Sequence, residues 1–254
     1  MKKITMLSIA IIGTFTLFAI SSCKKVWDEI KHHPDGAADN CRITQITDTW
    51  FTETEQIYDT ARFVYNNHGD PARVFRTSTY DIYITDEAFV HDNQHRLIAF
   101  ITQIPDHDLN SGIIWHTYTY IGSTKVIDTT FVYPNGDYTV NYRPTSYSSI
   151  SVSTLTLDNI GRVIKEKNAD GEFVFNYDGS GNLIKPGVTY TNKKNIRQTS
   201  KTWMLIDRNY SINQPNGDAV QYNSNNLPVK FNDNYRVQLE QYDYFRGIVT
   251  YDCK

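Results

Sequence analysis

Few residues in this chain have the types and spacing that chemistry needs, and each set has a plainer reading beside it. Asp106-His107-Asp108-Leu109-Asn110-Ser111-Gly112 reads D-x-D-x-N-x-G, the opening of many calcium loops. Such a loop closes on a bidentate glutamate at its twelfth position, where this chain has Thr117, so a polar loop is the better reading. Carboxylate pairs such as Glu53/Glu55 and Asp170/Glu172 could flank a glycosidic bond as acid and nucleophile. Nearly every domain carries such pairs on its surface. His32 and His33 lie in a polar, Pro- and Gly-broken stretch, and no set of ligands at metal spacing follows them. His91, His95 and His116 lie in or beside strand-like runs and read as wall residues. There is no Gly-x-Ser-x-Gly elbow, no His-Glu-x-x-His, no Cys-x-x-Cys and no phosphate loop, so no catalytic residue, metal or cofactor is implied. Trp50, Phe51, Trp115 and Trp203 could stack on flat apolar faces such as sugars, or could anchor the core.

A second set of residues is glycine-rich. Residues 175–185 read FNYDGSGNLIK, with Asp178, Gly179, Ser180, Gly181 and Asn182 between apolar flanks. The stretch has four relatives: YNNHG from Tyr65, HDNQH from His91, LDNIG from Leu157 and YNSNN from Tyr222. The second position is always Asn or Asp: Asn66, Asp92, Asp158, Asp178 and Asn223. The fifth is Gly69, His95, Gly161, Gly181 or Asn226. An Asx side chain accepts backbone N–H groups two residues on, and Gly, Asn and His best tolerate a left-handed backbone. A phosphate loop occurs once and opens a helix, whereas these units lead into strands. They are expected to be hairpin bends.

The elements that carry these residues have a period of two. In TSTYDIYITD, Tyr80, Ile82 and Ile84 share one parity; in VSTLTLDN, Leu155 and Leu157 alternate with Thr154 and Thr156. FVYPNGDYTVNY is two short runs about Pro134-Asn135-Gly136-Asp137. Such alternation, bounded by turn residues, marks half-buried strands, and the 18 Tyr and 12 Phe suit a pleated surface. No sustained helical stripe follows residue 40, so at most a turn or two of helix is expected. At about 13 residues per strand and connection, residues 41–254 should hold roughly 14 to 16 strands in a single all-β domain. An up-and-down antiparallel meander is expected, closed into a soluble barrel or strongly curved. The second parity of most strands is polar, so one face should be wet. That argues against a membrane-spanning barrel.

The ends of the chain speak to location. Lys2 and Lys3 precede the uncharged apolar run Ile4–Ile20, and Ile20-Ser21-Ser22-Cys23 resembles a bacterial lipobox. Residues 1–22 read as a lipoprotein signal peptide, Cys23 as the lipid-attachment residue, and residues 23–40 as a flexible linker. A plain membrane helix is the alternative. The formal charge is −3, and loss of Lys2 and Lys3 leaves the mature chain two charges more acidic. Neither figure is a footprint for nucleic acid. The densest basic run, KKNIR from Lys193 to Arg197, reads as a solvated turn.

YDGSGNL, LDNIGRV and YNNHGDP resemble YD repeats, the Tyr-Asp-x-x-Gly-Arg hairpin units of Rhs-type proteins. Together with the lipobox and the chain length, they look like an uncharacterised group of Bacteroidota-type lipoproteins with a porin-like antiparallel barrel domain. That resemblance implies a barrel and an outer-membrane anchor, and implies no activity.

Two cysteines remain after Cys23. Cys41 opens the first strand-like run and Cys253 ends the last. An exported compartment permits a bridge between them. Such a bridge would require the first and last strands to be neighbours, as in a closed barrel. Two buried thiols are the alternative. Three functional readings follow: a non-enzymatic, membrane-tethered binding or scaffolding lipoprotein; a glycan or lipid carrier with a hollow interior; and a carboxylate-based glycoside hydrolase. The first is preferred. Its partners are membrane lipid through Cys23 and a glycan or protein ligand of open identity.

Overall fold

The computed structural model describes residues 41–51, 56–78, 86–104, 112–134, 146–232, 236–240 and 242–253. The chain runs through β1 (Cys41–Phe51), β2 (Gln56–Tyr65), β3 (Pro71–Ser78), β4 (Glu87–His91), β5 (Leu97–Ile104), β6 (Gly112–Ile121), β7 (Lys125–Tyr133), β8 (Ser149–Leu157), β9 (Val163–Asn168) and β10 (Gly171–Val174). Then come β11 (Tyr190–Lys194), a 3-10 turn (Ile196–Thr199) and a single short helix, α1 (Lys201–Ile206). The chain ends with β12 (Asn213–Pro215), β13 (Ala219–Tyr222), β14 (Pro228–Phe231), β15 (Arg236–Leu239), β16 (Tyr242–Phe245) and β17 (Ile248–Cys253). The fold is all-β and antiparallel. Thirteen strands form one sheet in the order β10-β9-β8-β7-β6-β5-β4-β3-β2-β1-β17-β14-β13, and β11-β12 and β15-β16 form two small ones. The 17 strands among the described residues exceed the expected number because bends and minor pairs are shorter than an average connection. Tyr80–Ile84, the run after Pro134 and residues 106–111 lie outside the described residues.

Consecutive strands from β1 to β10 pair as neighbours, so alternate connections lie at alternate ends of the sheet. The β2–β3, β4–β5 and β8–β9 connections share one end, and each is one of the five-residue units. The β13–β14 unit joins them, because β14 runs antiparallel to β17 and β17 antiparallel to β1. Their geometry is common. In all five, the Asx Oδ1 accepts the N–H groups two and four residues on, at 2.8–3.1 Å. The fifth residue is left-handed in each: φ is +92° at Gly69, +60° at His95, +86° at Gly161, +80° at Gly181 and +62° at Asn226. The Asp178 unit differs in what it joins. It follows β10 and closes only an isolated bridge, Tyr177 to Leu183.

One face of the large sheet wraps around α1. Trp203 packs edge-on against Phe63 of β2 and Phe89 of β4, with ring centroids 5.7 and 5.2 Å apart. Five residues on, Arg208 reaches Asp128 of β7 at 2.6 Å and Glu166 of β9 at 3.4 Å. β2 and β9 are seven strand spacings apart, about 34 Å in a flat sheet. Five residues of helix span only about 8 Å. The sheet must therefore curve to bring both strands to the helix. Ser200 caps α1 by accepting from the Thr202 N–H. Trp203, Leu205 and Ile206 join one core with residues from β1 to β9 and from β14 to β17.

Three expectations change. Among the described residues no pairing joins β10 to β13, so the strands form an open antiparallel sheet and no closed barrel is seen. Cys41 and Cys253 are bridged, with Cα atoms 4.0 Å apart. They face each other across the β1–β17 ladder, which lies inside the sheet and not at a seam. The ends of the chain meet without closing a barrel, because β17 returns to the free side of β1. Nor is one face uniformly wet. Phe100 points into the main core, while its neighbours Ala99 and Ile101 join Ile113, Trp115, Phe131 and Tyr133 in a second cluster on the opposite face.

Candidate functional site

The inward face carries charge at positions where the alternation would place apolar residues. Arg76 follows Val74 at the inward parity of β3, Glu87 precedes Phe89 on β4, and Asp128 follows Val126 on β7. Two buried centres result. In the first, Arg76 Nη2 lies 2.6 Å from Glu240 Oε1 and 3.5 Å from Glu87 Oε1. Arg76 Nη1 donates to the Tyr244 hydroxyl at 2.8 Å, and that hydroxyl also bonds Glu240. The guanidinium lies over the Tyr242 ring, 3.8 Å from its centroid. Glu240 sits in the β15–β16 turn with φ +45°, so the centre ties that hairpin to the sheet.

Two carboxylates share one guanidinium there, in a site from which water is excluded. Burial pushes the Glu87 carboxyl up to about 7 against the pull of Arg76, and Asp207 and Asp86 add to the rise. Burial, then Glu87, raises Glu240 well above the ordinary carboxylate range. Glu87 Oε2 and Glu240 Oε2 have no hydrogen-bond partner among the described residues. Raised carboxyls of this kind suit an acid catalyst, but their side chains are 4% and 0% exposed, so no substrate reaches them.

The second centre is Asp128. It lies 3.1 Å from His116 Nδ1 and 2.6 Å from Arg208 Nη2. Burial alone would raise this carboxyl; the His116 hydrogen bond and the Arg208 charge together hold it below its ordinary value. His116 also meets the Thr130 hydroxyl at 3.0 Å and stacks on Phe100. The other two histidines of the strand walls are likewise engaged: His91 Nε2 with Thr202 Oγ1 at 2.9 Å, and His95 Nδ1 with Asp70 Oδ2 at 2.9 Å. No three His, Cys, Asp or Glu among the described residues gather as a metal site.

The remaining candidates scatter. Glu172 pairs with Lys165 at 2.9 Å on the surface, and Asp170 is exposed in the β9–β10 turn. Glu53, Glu55, Cys23 and the linker histidines lie outside the described residues, as do the side chains of Trp50 and Phe51. Trp203 and Trp115 lie in different clusters and form no common surface. The KKNIR run is not a solvated turn. Asn195 caps the 3-10 turn, Ile196 is fully buried, and Arg197 pairs with Asp207 at 2.6 Å and donates to the Gln238 carbonyl. Its charge is spent inside the fold.

One open pocket, of about 330 Å³, stands at the end of the sheet where the bends cluster. The Asp178 unit forms one wall through Asp178, Ser180 and Asn182. Thr189–Thr191 and Asn213 form another, with Ile184 and Lys185 nearby. Asn182 is 3% exposed and fixes the two walls together: its Oδ1 accepts the Asn213 N–H at 2.8 Å, and its Nδ2 donates to Asn213 Oδ1 at 3.2 Å. The stretch is thus a bend in backbone geometry and a pocket wall in its side chains. No protein-family model matches this chain, and no curated protein matches it.

Proposed function

We propose that the chain is a membrane-tethered cell-envelope lipoprotein whose β domain binds or scaffolds and performs no catalysis. The observation that supports this reading is the filled interior. Trp203, Leu205 and Ile206 occupy the concave face that a hollow carrier would keep open. Among the described residues, the carboxylate pair with raised pKa values is buried, with Glu87 on β4 and Glu240 supplied by the β15–β16 turn. In this reading the sheet is a wrapped, helix-filled trough. The tether is Cys23, placed by the lipobox-like Ile20-Ser21-Ser22-Cys23. Cys41 lies at the end of the sheet that carries the bends. No helix among the described residues is long and apolar enough to cross a membrane.

Fractionation of cells expressing Cys23→Ala tests the tether. The expected result is release to the soluble fraction, or retention of an uncleaved signal, with loss of labelled palmitate. Equal palmitate incorporation in the variant would contradict it.

A further inference from the structure

The pocket beside the Asp178 unit has a specific set of unspent groups. Lys185, Ser180 and Thr189 are exposed at its mouth, and among the described residues Lys185 makes no hydrogen bond or ion pair and the two hydroxyls make no hydrogen bond. Asp178 commits Oδ1 to the N–H groups of Ser180 and Asn182, at 2.8 and 2.9 Å, and Oδ2 makes no hydrogen bond among the described residues. Ile184 and Val188, 60% and 37% exposed, give apolar surface beside these groups, and Tyr190 adds a ring. Loss of water about its ammonium, and then the charge of Arg197, lower the pKa of Lys185. The charge of a carboxylate placed there would offset both effects.

The volume falls at the small end of ligand sites, which usually span about 300–1,000 Å³. The lining is unlike that of a site for an apolar ligand, since eight of the ten lining residues are polar. Hydroxyls and a free carboxylate oxygen fit a ligand rich in hydroxyl groups. The unpaired ammonium fits a carboxylate. The aliphatic and aromatic wall fits the apolar face of a sugar ring. The walls are fixed in advance by the Asn182–Asn213 pair and by the left-handed Gly181, so little ordering is needed on binding.

We infer that this pocket binds a small acidic saccharide, with the sugar carboxylate on Lys185 and sugar hydroxyls on Asp178, Ser180 and Thr189. The inference rests on the binding reading above and names the ligand class for it.

The test uses the full chain in detergent and three probes: D-galacturonate, D-glucose and acetate. Titrations followed by saturation-transfer difference NMR should give saturable binding of galacturonate. Glucose and acetate should each bind at least about tenfold more weakly, the loss expected when one charge-assisted hydrogen bond or the ring contacts are removed. Lys185→Gln should weaken galacturonate by a similar factor without moving the thermal midpoint, and Lys230→Gln should not. No saturable signal, equal binding of glucose, equal binding of acetate, or an unchanged Lys185→Gln variant would each overturn the assignment. Galacturonate recovered chemically unchanged supports a binding site. Lys185-dependent conversion would keep the site and overturn the non-catalytic reading.

Discussion

At the residue scale the five bends obey one rule, and two of their glycines separate its two parts. Gly161 (φ +86°) has open space where a Cβ would stand, so a substitution there meets backbone strain alone. Gly161→Val should cost about 1–3 kcal/mol, the price of a β-branched residue in a left-handed region. At Gly181 (φ +80°) a Cβ would also come within 2.6 Å of Ile212 Cδ1. Ile212 Cδ1 is the tip of a half-exposed side chain and can move aside, so Gly181→Val should cost about as much as Gly161→Val; chemical denaturation of both, with a clearly larger loss at Gly181, would show that Ile212 is held in place. The Asx and Gly positions were legible because a bend needs nothing beyond its own five residues. The pocket was not legible, because Asn213 reaches Asn182 only through the fold-back of the chain after α1. Arg76, Glu87 and Asp128 left a fainter trace: a charge at the apolar parity of a strand, which must find a buried partner.

At the element scale the polar centres hold together what the ladder hydrogen bonds do not. The β15–β16 hairpin pairs with no other strand among the described residues, and Glu240 at its turn joins it to Arg76 on β3. Glu87 and Glu240 have folded pKa values above their unfolded ones, so the folded state holds the extra proton. The contribution of Glu87 to stability is full below about pH 4.5 and is lost as pH rises through about 7, and that of Glu240 is lost in the same direction. Asp128 works in the opposite sense: its pKa is depressed, and its contribution falls away as pH drops below the usual carboxylate range. Thermal midpoints should therefore decline between pH 5 and pH 8, and Glu240→Gln should flatten that decline. A midpoint that rises steadily across this range would contradict the assignment. Asp128→Ala should cost about 3–5 kcal/mol, since Arg208 is left as a buried charge that keeps the Leu205 carbonyl but has, among the described residues, only the longer Glu166 ion pair. A loss under about 1 kcal/mol, typical of an exposed pair, would show that Arg208 reaches water.

At the scale of the whole molecule, alternation and bend residues were enough to read an antiparallel meander, since β1 to β10 lie in the order in which they are made. What they could not carry was the return of the chain. Whether β17 closes on the far edge or beside β1 depends on contacts some 200 residues apart, such as Thr44 with Thr250 at 2.9 Å. The Cys41–Cys253 bridge spans 212 residues, and so constrains the unfolded chain by up to about 5 kcal/mol. Reduction should lower the thermal midpoint while leaving the strand signature of circular dichroism in place at 25 °C. Collapse of that signature on reduction would show that the β1–β17 ladder cannot stand without its bridge. Location rests on residues before Cys41, and there the central claim is a lipid-held domain. Intact mass of the protein extracted from membranes tests it most directly. The account predicts a chain that begins at Cys23 and carries the added mass of acyl groups; a chain that retains Met1, or begins elsewhere with an unmodified Cys23, would contradict it.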